Sequence, residues 1–214
     1  MTVETIYDEL AAGYDNHFQR SIDVAENKTV IHYLSRLPGV RDGFVLDLGC
    51  GTGFVLDHLP LANYTGLDVS GEMLSRARVK HPQAAFMSGD MADLSMFGDQ
   101  SFSHVISTFG SFSYSLRPER VAEEIYRVLQ PGGYFFIQPL GWRYRFRKHH
   151  ISNGKLNFIG YNETILRGLF APFRDVQITG VNLSGIAPLT LVESKLLGPV
   201  VPSLFMFQIV TGRK

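Results

Sequence analysis

Residues 44–54 read Phe-Val-Leu-Asp-Leu-Gly-Cys-Gly-Thr-Gly-Phe. The first five form a short, nearly continuous apolar run, as a strand buried on both faces requires. Glycines follow at 49, 51 and 53, and a short helix through Leu56 and Leu59 comes next. Glycines between a strand and a helix let the backbone approach a ligand closely and adopt dihedrals that other residues resist. The spacing is G-x-G-x-G, whereas a dinucleotide fingerprint is G-x-G-x-x-G. Asp47 stands in the strand just ahead of the glycines. A carboxylate there repels a pyrophosphate but suits a ligand carrying an amino group and a sulfonium. The plain alternative is a glycine-rich turn with no ligand.

The strand–helix pattern repeats along the chain. Residues 64–68, 84–88, 102–107 and 134–139 read as further strands, and 72–79 as a helix. Pro118 opens another helix where its missing N–H does no harm. Val121, Ile125, Val128 and Leu129 form that helix's apolar stripe, and Pro131-Gly132-Gly133 turns the chain. Asn162 is a predicted N-cap, with Tyr161 and Leu166 placed as a hydrophobic staple, for a helix over 163–171. Residues 176–181 and 204–211 read as the last strands. Toward the N-terminus, Tyr7, Leu10, Ala11 and Tyr14 share one helical face, and Val30, Ile31, Leu34 and Leu37 another. The expected organisation is one domain over 1–214, with 1–37 as a helical cap. Alternating strands and helices with short connections predict a doubly wound, mainly parallel α/β sheet. Ligands in such sheets bind beyond the carboxyl ends of the strands, at the switch point.

Candidate binding residues fall at those ends. Asp68 closes the second strand about 20 residues past the glycines, where an acid can accept hydrogen bonds from ribose hydroxyls. It also reads as an N-cap for the helix at Glu72. Val69 adjoins it. Met73 can pack on an adenine face or simply in the core. After the third strand, Asp90 can accept from an adenine amino group and the Met91 amide can face a ring nitrogen, although Gly-Asp is also ordinary turn chemistry. Thr108, just past the fourth strand, completes the set.

Composition narrows the function classes. The chain has 214 residues, with Lys plus Arg and Asp plus Glu both at 20 and a formal net charge of zero. That balance gives no general push toward nucleic acid or an acidic membrane. The single cysteine, Cys50, cannot form an internal disulfide, which suits a reducing, cytoplasmic setting. The opening residues do not read as a signal peptide. The most apolar stretch, near 185–210, is broken by Glu193, Lys195, Pro199 and Pro202, so no stable membrane insertion is expected. No paired cysteines and no His/Asp ligand spacing suggest a metal.

The set VLDLGCGTGF, GLDVSGEML, GDMADL and RVLQPGGYFFI resembles the successive motifs of class I S-adenosylmethionine-dependent methyltransferases, in the right order and spacing. YDELAAGYD (7–15) is similar to the start of the ubiquinone/menaquinone-methyltransferase-like branch, in which a tyrosine closes over the cofactor. The resemblance covers roughly residues 5–140. It implies a seven-stranded Rossmann-like sheet with an antiparallel last strand and S-adenosylmethionine as cofactor. It implies that Gly49 and Gly51 hold the cofactor's amino-acid part, Asp68 the ribose, and Asp90 with Met91 the adenine, with Tyr14 as cover. The family's fourth strand usually opens F-D-x-V, and here it is Phe102-Ser103-His104-Val105. STFGSFSY (107–114) lacks the Asn/Asp-Pro-Pro-Tyr/Phe pattern of nucleobase and glutamine amino methyltransferases. That counts against nucleic acid and protein glutamine, and leaves a small-molecule acceptor methylated on O, N or C.

Three points stay open in the sequence. Trp142–His150 interleaves aromatic and basic residues after the fifth strand. It reads either as a lid over the acceptor or as a solvated basic loop with aromatics docked on the core. His149 or His150 is the candidate general base, against a simple surface pair, while His104 reads as a packed histidine. Residues 185–207 either roof an acceptor pocket or form ordinary core and a final strand. Rival functions are a catalytically silent S-adenosylmethionine-binding regulator or partner subunit, and a nicotinamide-dependent dehydrogenase. Neither the acceptor nor the oligomeric state follows from the sequence.

Overall fold

FVLDL forms β1 (Phe44–Leu48), the third strand of a seven-stranded sheet. The computed structural model describes residues 2–146, 157–182, 194–197, 199 and 205–214. Next to β1 lie β2 (Asn63–Asp68) and β4 (Phe102–Ser107), both parallel to it. Beyond them are β3 (Ala85–Ser88), β5 (Leu129–Ile137), β6 (Arg174–Val181) and β7 (Phe207–Arg213). The order is β3-β2-β1-β4-β5-β7-β6, and β7 runs antiparallel to both of its neighbours. After β1 the chain winds outward through β2 and β3. It then returns to the other side of β1 for β4 and β5. The crevice between those two directions is where ligands of such sheets bind.

Side chains on β1 alternate between the two layers, as strand geometry demands. Leu46 and Leu48 pack with Val105, Phe135 and the buried stripe of α5 (Pro118–Val128). Val45 packs on the opposite face, against Val30 and Leu34 of α2 (Ser21–Leu34), Val55 of α3 (Phe54–His58) and Leu74 of α4 (Gly71–Lys80). Asp47 shares the side of Val45. Its carboxylate therefore enters an apolar layer.

The predicted elements recur with shifted ends. The N-terminal stripe is α-helical only over α1 (Val3–Leu10). It tightens into a 3-10 segment, Ala11–Phe18, before Tyr14 is reached. The second helix stops at Leu34, ahead of Leu37. β5 starts at Leu129, where a first pairing with Phe102 precedes a register shift, so the Pro-Gly-Gly turn lies inside the strand. Asn162 caps α6 (Glu163–Leu169) by accepting from the Ile165 amide, with Tyr161 and Leu166 fully buried beside it. Among the described residues, no helix is long and apolar enough to cross a membrane.

Glu124 holds the loop after β3 in place. This buried carboxylate on α5 accepts from the Leu94 amide at 2.9 Å and from Arg127, whose guanidinium also donates to the carbonyls of Leu94 and Phe97. The loop carrying Asp90 and Met91 is thereby tied to the helix layer.

Candidate cofactor site

At the carboxyl ends of β1, β2 and β3 the structure encloses a cavity of about 290 Å³. Its floor is the glycine loop. Gly49, Gly51 and Gly53 all have positive φ, at 73°, 54° and 85°, a region that costs other L-residues on the order of 1–2 kcal/mol. A Cβ at Gly49 would also meet Ser111 Cβ at 2.5 Å. Ser111 sits there because its hydroxyl donates to the Gly49 and Thr108 carbonyls. The amides of Gly49 and Cys50 both donate to the Leu67 carbonyl. The loop is thus bonded to β2 through the backbone.

Asp68 connects the loop to the ligand space. One carboxylate oxygen accepts from the Gly51 amide at 2.8 Å and the other from the Ser70 amide at 2.9 Å. Enclosure raises its pKa above the ordinary carboxylate value, and those backbone bonds oppose the rise. A carboxylate has about four lone-pair positions, and the backbone bonds from Ser70, Gly51 and Val69 leave part of that capacity for a ligand. Asp68 is not the cap of the following helix. Ser70 caps α4 through its hydroxyl, which accepts from the Met73 amide. The short hydroxyl side chain at the Ncap leaves Asp68 free to face the cavity.

Of the residues expected from the sequence, Tyr14, Gly49, Gly51, Asp68, Val69, Met73, Asp90 and Met91 lie on the cavity wall. Asp47 and Thr108 stand behind it. Asp47 is buried, accepts from the Tyr64 hydroxyl at 2.8 Å, and leaves Oδ1 with no hydrogen-bond partner. Burial pushes its pKa up to about 7, against the opposing bond from Tyr64. Thr108 is buried and takes part through its carbonyl. Asp90 is held at the rim, accepting from the Ala92 amide and from Arg117 at 2.7 Å. His149 and His150 lie outside the described residues. His104 is a packed histidine, bonded to Ser103 and to the Pro38 carbonyl.

The sequence reading passes over part of the wall. Tyr7, by spacing a packing residue, lines the cavity, as do Phe109, Tyr114 and Arg117. One signal was present: Tyr7-Asp8 and Tyr14-Asp15 repeat the same dipeptide. Each aspartate ties the N-terminal segment to the rest of the fold. Asp8 accepts from the Ser70 hydroxyl and the Glu72 amide, and Asp15 from the Thr52 hydroxyl and Lys80. Each tyrosine, one residue earlier, faces the ligand space.

Positive-φ glycines, a carboxylate with free lone pairs and a cavity spanning three strand ends fit the parts of an adenosyl amino acid. Comparison with known proteins agrees. Residues 46–137 match the methyltransferase domain family. Over that segment the chain is similar to class I methyltransferases. That family uses S-adenosylmethionine as its methyl donor. Demethylmenaquinone methyltransferase of Chlorobaculum tepidum is 34% identical over 151 residues, covering 65% of this chain and 60% of that protein. An amino-sugar enzyme of Streptomyces venezuelae, dTDP-3-amino-3,4,6-trideoxy-alpha-D-glucopyranose N,N-dimethyltransferase, is 32% identical over 125 residues, covering 56% of this chain and 52% of that protein. The chain therefore spans less than two thirds of the length of these relatives. A methyltransferase structure from Thermotoga maritima superposes with a TM-score of 0.72 over 98% of this chain and 99% of that one, at 18% identity, which is a likeness of fold.

Proposed function

We propose that this protein transfers a methyl group from S-adenosylmethionine to a small-molecule acceptor. The observation that carries the reading is Asp68. Its carboxylate is fixed by the Gly51 and Ser70 amides, yet faces a cavity that runs from the glycine loop to Asp90 and Met91. In this reading Gly49 and Gly51 admit the amino-acid part of the cofactor, Asp68 accepts from the ribose hydroxyls, Met73 packs under the base, and Asp90 with the Met91 amide reads its edge. The bound cofactor supplies an electrophilic methyl on a sulfonium. The protein's share is alignment and exclusion of water. Tyr7 and Tyr14 roof the cavity. Burial holds their pKa values above the ordinary tyrosine range, so both remain neutral hydroxyls at physiological pH.

The related enzymes named above act on a quinone and on an amino sugar, which supports a small acceptor without choosing one. Trp142–Phe146 is a 3-10 segment next to the site. Its Tyr144 ring packs on Phe158 and Phe207, while Trp142 is exposed. The rest of 142–150 lies outside the described residues. We assign its cations to the acceptor side.

Calorimetry with S-adenosylmethionine, S-adenosylhomocysteine and NAD tests the cofactor. The two adenosyl ligands bind and NAD binds far more weakly; tighter binding of NAD overturns the reading. Mass spectrometry of a metabolite extract incubated with protein and methyl-labelled cofactor separates an enzyme from a silent binder. A labelled product is expected of the enzyme, and cofactor binding without any labelled product points to the silent binder.

A further inference from the structure

We propose that Tyr7, Tyr14 and Tyr114 form an aromatic cage that reads the charge of the bound adenosyl ligand, favouring the sulfonium of the methyl donor over the neutral thioether of the product. The inference deepens the reading above and rests on it. The three rings come from three separate elements: α1, the 3-10 segment after it, and the 3-10 turn Ser111–Tyr114. All three line the same cavity as Asp68. The Tyr7 and Tyr14 centroids are 6.0 Å apart with planes at 59°, and those of Tyr7 and Tyr114 are 6.0 Å apart at 76°. Planes this steep to one another bound a corner instead of stacking, and a corner of ring faces beside a carboxylate is a place for a cation.

Position within the cavity points the same way. The sulfonium joins the ribose to the amino-acid chain, so it belongs between Asp68 and the Gly49–Gly51 floor. Tyr7 and Tyr14 both lie close enough to Asp68 to feel its charge. The Tyr7 hydroxyl is hydrogen-bonded to Tyr114, which fixes the two rings relative to each other. Asp8 and Asp15 anchor the segment from the outside. Among the described residues, the cationic side chain on the wall is Arg117, and its charge is paired with Asp90. On the outer side of Tyr14, Lys80 is ion-paired with Asp15 and Asp57, which offsets its charge.

The consequence is a site that weakens its grip when the reaction is over. In methyl transfer the C–S bond breaks with its electron pair remaining on sulfur, the methyl joins the acceptor nucleophile, and the positive charge leaves with the methylated product or with the proton that product loses. A cage built for a cation then holds a neutral thioether. Cation–π contacts correspond to roughly twofold to fivefold in affinity at exposed sites and to roughly thirtyfold when desolvated.

The test is calorimetric titration of the whole chain, wild type and variants, with S-adenosylmethionine, S-adenosylhomocysteine and sinefungin, an analogue carrying an ammonium in the sulfonium region. Wild type is expected to bind both cations more tightly than the thioether. Tyr114→Leu is expected to weaken both cations by roughly tenfold and leave the thioether within twofold, while Tyr114→Phe, which keeps the ring, preserves the preference. Should Tyr114→Leu fail to fold, Tyr7→Leu reads the same ratio. Equal loss for all three ligands overturns the cage and leaves the cofactor site standing, because the rings would then be mere packing. Loss of preference in Tyr114→Phe overturns it also, since the hydroxyl would be the reader. Wild type that binds none of the three removes the cofactor reading and the cage together.

Discussion

The floor and the roof of the cavity are built by different means. The floor is made mainly by backbone: Gly49 and Cys50 amides on the Leu67 carbonyl and β1 in parallel register with β2, with the Asp68 carboxylate added on the Gly51 amide. The roof is made by side chains, with Tyr7 and Tyr14 carried on a segment held to the body by Asp8, Asp15 and ring contacts. A backbone-bonded wall is over-determined and changes little when one contact is lost. A side-chain latch is worth about 1 kcal/mol for each hydrogen bond, so the roof is the part that can yield to admit a ligand.

Gly49→Ala attacks the floor where it is least tolerant, and the largest effect is expected there. Positive φ and a Cβ at 2.5 Å from Ser111 Cβ act together. Stability should fall by about 2–4 kcal/mol, read by urea denaturation, and cofactor binding should be lost. A variant that melts and binds like wild type would show that the loop is not constrained as described.

Asp47 gives the floor a pH signature. Its pKa of about 7 in the folded protein lies above its unfolded value of 3.8. Between those values the folded chain keeps a proton that the unfolded chain has lost. Stability from this group therefore falls as pH rises through the window, and its cost is complete above pH 7. Asp47→Asn removes that titration. Its stability relative to wild type should grow from pH 4 to 8, by on the order of 2–4 kcal/mol. A difference that stays constant across urea melts at pH 5 and pH 8 would show that Asp47 is ionised throughout.

Asp68→Ala tests where floor meets ligand. A cost of on the order of 1–3 kcal/mol in cofactor binding is expected, the range for hydrogen bonds to a charged group. Since Ser70 is the helix cap, α4 should survive. Unchanged affinity in a folded variant would take Asp68 out of the site.

The double change Asp8→Ala and Asp15→Ala addresses the roof alone. Amide exchange in residues 3–18 should quicken, by an amount corresponding to about 1–2 kcal/mol of lost protection, while β1 and β4 keep theirs. Faster exchange throughout would mean that the latches support the whole fold. The smallest effect is expected from replacing Arg143, Arg145 and Arg147 together by Ala. Cofactor affinity should stay within twofold, and turnover at low acceptor concentration should weaken. Lost cofactor binding would reassign the segment to the cofactor.

Much of the floor could be read from residue order. FVLDL, the three glycines and Asp68 act through strand alternation and backbone conformation, which are local properties of a chain. The parallel sheet and the position of its ligand crevice follow from the same patterning. The roof could not be read this way. Helical spacing puts Tyr7 on a face without saying what the face meets, and the chain tightens into a 3-10 segment at Ala11 before Tyr14 is reached.

Sequence by itself determined the β–α alternation, the glycine loop after β1 and the acids placed at the ends of β1, β2 and β3. Each of these needs only neighbours along the chain. Tertiary structure decided which acid faces the cavity. Asp47 and Asp68 both sit on strands beside the glycines. Asp47 turns into the apolar layer against Tyr64, while Asp68 lies one strand over at the crevice, bonded to Gly51 and released from capping by Ser70. Their difference comes from what packs on each face of the sheet, and from residues distant in sequence.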